Sequence, residues 1–176
     1  MSTKVTPTKT ERFFDEDQII VSKTDLKGHL TYVNPVFLKL YGGTEKELLG
    51  KPHSIVRHPD MPRCIFKLLW DNISNGKEIF AYVKNMSKNG DYYWVLAHAT
   101  PSRDNDGNIT GYHSNRRVPD RQVINEIITP LYEKLIMIEQ KNPNSKHGMN
   151  DAVEALNLIL KEKDMAYDEF IFSLQK

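Results

Sequence analysis

Apolar residues follow two different periods along this chain, and the switches between them set out its elements. Residues 19–21 (Ile19, Ile20, Val21) and 29–33 bracket a polar Thr24-Asp25-Leu26-Lys27-Gly28 segment. Two short apolar runs around a glycine-bearing turn predict a β-hairpin. Asn34-Pro35 then opens a helix, because asparagine caps and proline suits the first helical position. Val36, Phe37, Leu40 and Tyr41 follow at helical spacing, and Gly42-Gly43 ends the run. Thr44 with Glu47 three residues on, and Gly50 beyond, predicts a single capped turn of helix. Residues 50–62, GKPHSIVRHPDMP, are flanked by prolines and predict an irregular loop. Asp60 is placed to cap a further helix carrying Ile65, Phe66, Leu68, Leu69 and Ile73, which stops at Asn75-Gly76.

Residues 78–86, 91–101 and 108–118 then read as strands, joined by Asn89-Gly90 and by the polar turn 104–108. Two strands, short helices and a three-strand meander predict an α+β domain over residues 18–118: one antiparallel sheet with the helices on one face. Residues 1–17 read as a loose polar arm, interrupted by Phe13 and Phe14. Residues 119–176 return to helical spacing. Val123, Ile124, Ile127, Ile128, Leu131, Leu135 and Ile138 mark one amphipathic stretch, which Pro130 should kink or split. A loop is expected at 142–148 and a second helix at 149–160, with Val153, Leu156, Ile159 and Leu160 on one face. Asp168 is placed to cap a last short helix with Phe170, Ile171 and Leu174.

Composition narrows the function. The 24 Lys and Arg balance 23 Asp and Glu, so no basic excess exists to hold a phosphate backbone, and nucleic acid is not expected as a partner. The one cysteine, Cys64, excludes an intrachain disulfide and any cysteine-rich zinc site. No apolar run approaches the roughly 20 residues that span a bilayer, and the first residues lack the apolar core of a signal peptide. These features together predict a cytoplasmic protein. No nucleophile–base pair, phosphate loop or metal cluster can be assembled from the motifs, so an enzyme is not expected.

The element order, with TDLKGHLTYVNPVF, NISNGKE and KNGDYYWVLAHATPSRDNDGNITGYHS, resembles a PAS domain. A narrower likeness rests on GKPHSIVRHPDMP, Trp70, VKNMSKNGDYYWV and ITGYHSNR, which are similar to the PAS domain of bacterial aerotaxis receptors. That family holds FAD non-covalently and reports its redox state. The resemblance implies flavin contacts at Asn34, Arg57, His58, Asp60 and Asn85; beside these, the aromatic side chains of Phe66, Trp70 and Tyr82 are candidates for an apolar wall. The chemistry suits this: a guanidinium and an imidazole can meet a pyrophosphate, and an amide offers the donor and acceptor that a flavin ring edge requires. Each residue also has an ordinary alternative. Asn34 and Asp60 serve as helix caps, His58 as a solvated loop residue, Trp70 as core, and Cys64 as a small hydrophobe.

The sequence departs from the family at Ile79, where aerotaxis receptors commonly carry tryptophan, and at His113 on the last strand. The cysteine that forms the flavin adduct in blue-light PAS domains aligns with His53, so thiol-adduct photochemistry is excluded. The resemblance implies a redox or oxygen sensor of the bipartite energy-taxis kind. There a PAS-only protein signals by contact to a membrane-bound chemoreceptor or other signalling protein, without spanning the membrane itself and at most peripheral to the inner membrane through that receptor. A homodimer is an open alternative. So are a haem-binding gas sensor and a ligand-free adaptor.

Overall fold

In the computed structural model, which describes residues 5–175, five strands form one antiparallel sheet. They are β1 (Ile20–Thr24), β2 (Leu30–Val33), β3 (Ile79–Met86), β4 (Tyr92–Arg103) and β5 (Ile109–Arg117). Their order is β2-β1-β5-β4-β3, so the first and last strands meet in the middle, with Ser22 opposite Ser114. Side chains alternate along each strand. The register therefore puts Ser22, Ser114, Ala97, Ala99, Val83 and Asn85 on one face and Phe80, Tyr82, Trp94 and His98 on the other.

The inner face carries α1 (Pro35–Tyr41), α2 (Glu45–Leu48), a 3-10 turn (His53–Val56) and α3 (Arg63–Ser74). Glu47 Oε2 accepts the Thr44 N–H at 2.8 Å, which closes the expected capping box of α2. The start of α3 differs from expectation. Pro62, not Asp60, precedes it, and no local side chain caps it. Instead Glu139, 75 residues further on, accepts the Cys64 N–H at 2.8 Å. A carboxylate delivered from another helix satisfies the same orphan donor and the same dipole as a local cap would.

Past β5 the chain forms α4 (Arg121–Val123), a π-helical turn (Ile124–Ile128) and α5 (Thr129–Lys141) as one rod. Pro130 does not split it. The Thr129 N–H reaches back to the Ile124 carbonyl, and this widened turn accommodates the proline ring. α6 (Ser145–Glu162) begins earlier than expected, because Asn144 Oδ1 accepts the Lys146 and His147 N–H groups. α6 packs against α5 closely enough that a Cβ on Gly148 would lie 2.2 Å from the Glu139 carbonyl, so only glycine fits there. α7 (Tyr167–Ser173) starts with Glu169 Oε2 accepting the Ala166 N–H, and Asp168 sits in its first turn rather than capping it.

These helices are not an independent bundle. α5 runs beside the free edge of β3, where Tyr132 Oη donates to the Tyr82 carbonyl at 2.6 Å. α7 sets Phe172 against Phe80 on the outer face, at 5.0 Å between ring centroids. Val83, Tyr132, Leu135, Leu156 and Phe170 all belong to one continuous apolar core. The N-terminal segment is pinned rather than loose. Thr8, Arg12 and the Thr10 carbonyl pair with the backbone of Gly90 and Tyr92, Arg12 meets Asp91 at 3.0 Å, and Glu11 takes both nitrogens of Arg121. Residues 1–4 of the expected arm, like residue 176, lie outside the described residues.

Candidate ligand-binding cavity

Between the inner face of the sheet and α3 lies a cavity of about 490 Å³, within the size range of small-molecule sites. Small side chains (Ser22, Ala97, Ala99 and Ser114) keep its floor flat. Phe66, Leu69, Trp70 and Ile73, on one side of α3, make an apolar wall, and Met149 at the start of α6 also lines it. Trp70 stands edge-on to Tyr112 at 5.4 Å. Gly28 in the β1–β2 turn lets it approach: a Cβ there would come within 2.8 Å of the indole, and the backbone has φ +79°.

Of the seven residues expected to contact a ligand, the structure brings four to this cavity: Arg57, Phe66, Trp70 and Asn85. Asn85 is buried, and its amide makes no hydrogen bond among the described residues. Arg57 pairs by its backbone with Asn85 in an isolated bridge, and its guanidinium stacks 4.3 Å from the Phe66 ring. It forms no ion pair among the described residues.

The other three are displaced, each for a local reason. Asn34 spends its amide on the backbone: Oδ1 accepts from Phe37 and Val21, and Nδ2 donates to the Ile19 carbonyl at 2.7 Å. It joins α1 to β1. His58 and Asp60 are carried past the free edge of β3 to the opposite face, because Lys84 donates its N–H to Met61 Sδ and its ammonium to Asp60 at 2.9 Å. The His58 ring lies edge-on to Tyr92. Far from solvated, it is 2% exposed. Its Nδ1 accepts the Asp60 N–H at 3.1 Å, which leaves Nε2 buried without a partner. Burial, and then the nearby Lys84 ammonium, hold its pKa down to about 4. The RHPDMP segment thus divides its labour: Arg57 faces the cavity, while His58 and Asp60 lock the loop. Tyr82 lies on the outer face, away from the cavity; His113 lines the cavity but by the register turns its side chain to the outer face, where it meets Asn115 Oδ1 at 3.0 Å.

The sequence reading missed the most unusual group on the floor. Arg116, 3% exposed, has no carboxylate partner among the described residues. Its Nη2 donates to Ser22 Oγ at 2.8 Å and to His53 Nε2 at 2.6 Å, while Nη1 has no partner. An arginine only donates, so His53 must accept at Nε2 and is neutral. Burial, then Arg116 beside it, hold the His53 pKa down to about 3; burial also lowers Arg116 to about 10. A buried cation without a counter-charge favours an electron-rich or anionic ligand. In sequence, Arg116 is one of two adjacent arginines at the end of the last strand, and only the pairing of β1 with β5 shows which one turns inward.

Comparison with known proteins agrees with this architecture. Residues 30–116 match the family model for the PAS fold. A PAS domain from Colwellia psychrerythraea superposes with TM-score 0.53 at 19% identity, over 57% of this chain and 86% of that one. The light-state Aureochrome1 light-oxygen-voltage domain gives 0.52 at 22% identity, over 72% and 93%. The chain therefore carries a domain of the PAS family. It is similar to the aerotaxis receptor of Escherichia coli (strain K12), 41% identical over 121 residues, which cover 68% of this chain and 23% of that protein. It also resembles the biofilm dispersion protein BdlA of Pseudomonas aeruginosa, 28% identical over 86 residues, 48% of this chain and 21% of that protein. The chain thus spans about a quarter or less of these curated relatives. No helix among the described residues is long and apolar enough to cross a membrane.

Proposed function

We propose that the cavity holds a flavin, specifically FAD, and that this PAS domain reports redox state to a chemoreceptor-type partner by protein contact. One observation carries the reading: a flat-floored apolar slot combines an unengaged amide, Asn85, with a buried and unpaired cation, Arg116. A planar ring system with a mixed donor–acceptor edge and an electron-rich side matches that set. The orphaned Nη1 of Arg116 and Oγ1 of Thr24 leave further polar capacity beside it. When bound, a flavin supplies reversible electron transfer. Asn85 can present either its oxygen or its NH₂ as the ring edge changes from acceptor to donor, and Arg116 favours whichever state carries more negative charge.

Haem fits less well. The cavity's His53 already uses its Nε2 to accept from Arg116. Cys64 is held as a neutral thiol, its pKa pushed up to about 12 by burial and Glu139. A ligand-free adaptor leaves the open cavity and its unpaired arginine without a role.

Output would travel through three ties between the cavity walls and the C-terminal helices. Tyr132 holds the β3 edge, Glu139 caps α3, and Arg63 donates to the Ser145 carbonyl at 2.8 Å. The absorbance spectrum of purified protein tests the reading. The paired blue and near-ultraviolet flavin bands support it, a Soret band replaces it with haem, and no visible band leaves the adaptor. Asn85→Ser should then weaken flavin binding or move its midpoint potential; no change in either removes Asn85 from the site.

A further inference from the structure

Among the described residues, all but one of those lining the cavity lie at or before Arg116 in the chain; the exception is Met149, near the start of α6. It stands outside the 30–116 segment that matches the PAS family, so the C-terminal helices supply a piece of the cavity wall. Met149 is partly buried and packs against the main apolar core. Its neighbours hold it in place. Asn144 caps α6, and Arg63 at the start of α3 donates to the Ser145 carbonyl at 2.8 Å. Gly148 presses on the Glu139 carbonyl of α5 with no room for a Cβ. The side chain that reaches the cavity therefore hangs from the point where α3, α5 and α6 meet.

Resting on the flavin reading above, we infer that Met149 is a ligand contact of this site and the point at which the C-terminal helices sense its occupancy. A thioether suits both tasks. It is unbranched and adapts its rotamers to irregular space, and its sulfur is attracted to aromatic rings, often at the ring edge. The contact is direct, whereas the Tyr132, Glu139 and Arg63 ties act through the cavity walls. The backbone behind Met149 cannot absorb a displacement locally. Gly148 already lies against α5, so a shift of Met149 moves the start of α6 and the Glu139 turn of α5 together. Packing a ring against the thioether consequently braces the α5–α6 junction, and a ligand state that packs less well releases it.

Two measurements on the full chain, ligand-free and loaded with FAD, test this. In protein with isotope-labelled methionine methyls, the Met149 signal, assigned by its loss in Met149→Leu, should move by several linewidths on loading. The signals of Met137 and Met165, both exposed, should stay. Amide exchange over residues 145–152 should slow about threefold or more on loading. In Met149→Ala that slowing should vanish, with FAD affinity down about two- to tenfold, and Met149→Leu should restore most of both. A merely structural side chain would change exchange equally with and without FAD. An unmoved Met149 signal in protein that binds FAD would overturn the inference and leave the flavin reading standing. So would a Met149→Ala variant that keeps the full slowing. Failure of the wild type to bind FAD would overturn both. The methyl signal decides even if the alanine variant does not fold.

Discussion

Mild acid should destabilise this protein through two buried histidines before its carboxylates titrate. In the folded, ligand-free state, His53 is held neutral to about pH 3 and His58 to about pH 4. In the unfolded chain each takes a proton near the ordinary value of about 6.5. Between those limits the unfolded state binds more protons, so stability falls as pH falls through the window and is regained as pH rises. At pH 5 the unfolded imidazole is roughly 1.5 units below its own pKa, so each histidine costs about 2 kcal/mol relative to pH 8, and the pair about 4. The figure does not depend on how far below 5 the folded values lie. Glu47, whose pKa the Lys88 ammonium and the Thr44 N–H hold at about 2, loses its contribution only below the ordinary carboxylate range, as do Asp25 and Asp91. Urea unfolding at pH 8 and pH 5 measures the loss. His53→Gln keeps an acceptor for Arg116 but cannot titrate, so the variant should lose only about half as much stability on acidification. The same acid loss in variant and wild type would show that His53 is not buried neutral beside Arg116, and the electrostatic picture of the cavity floor would fall with it.

Two further substitutions probe the walls. Tyr132→Phe deletes the hydrogen bond to the Tyr82 carbonyl and leaves that edge group without its partner, which should cost about 1–3 kcal/mol in chemical denaturation; a change below a few tenths would mean the α5 contact is not holding β3. Ala97→Leu raises the cavity floor under any planar ligand. It should remove the flavin bands with little loss of stability, since the added methyl groups enter open space, and retention of full flavin content would place the ring elsewhere.

The strands, the short helices and their order could be read from the sequence because local signals specify them. Asn34-Pro35, the Thr44–Glu47 box and the glycine turns act within a few residues, and period-two alternation marks β3 to β5. Phe66 and Trp70 were legible as aromatic candidates for a cavity wall, and Arg57 and Asn85 by resemblance. Expectations failed where the deciding partner is distant in the chain. Glu139 caps α3 from 75 residues away, in place of Asp60. His58 and Asp60 follow Arg57 directly, yet Met61 and Lys84 carry the loop past the β3 edge, so neighbours in sequence end on opposite faces. Asn34 was legible as a helix cap and, by resemblance, as a ligand contact, and the positions of the Val21 N–H and the Ile19 carbonyl assign the rest of its amide to the backbone. Arg116 was invisible for the deepest reason. A charged residue is ordinarily exposed, and its inward orientation follows from the β1–β5 register, which joins segments 94 residues apart. Local chemistry was therefore enough to specify which elements form. Which polar groups are left unpaired around the cavity, and so what it can bind, depends on long-range register and packing that no local pattern encodes.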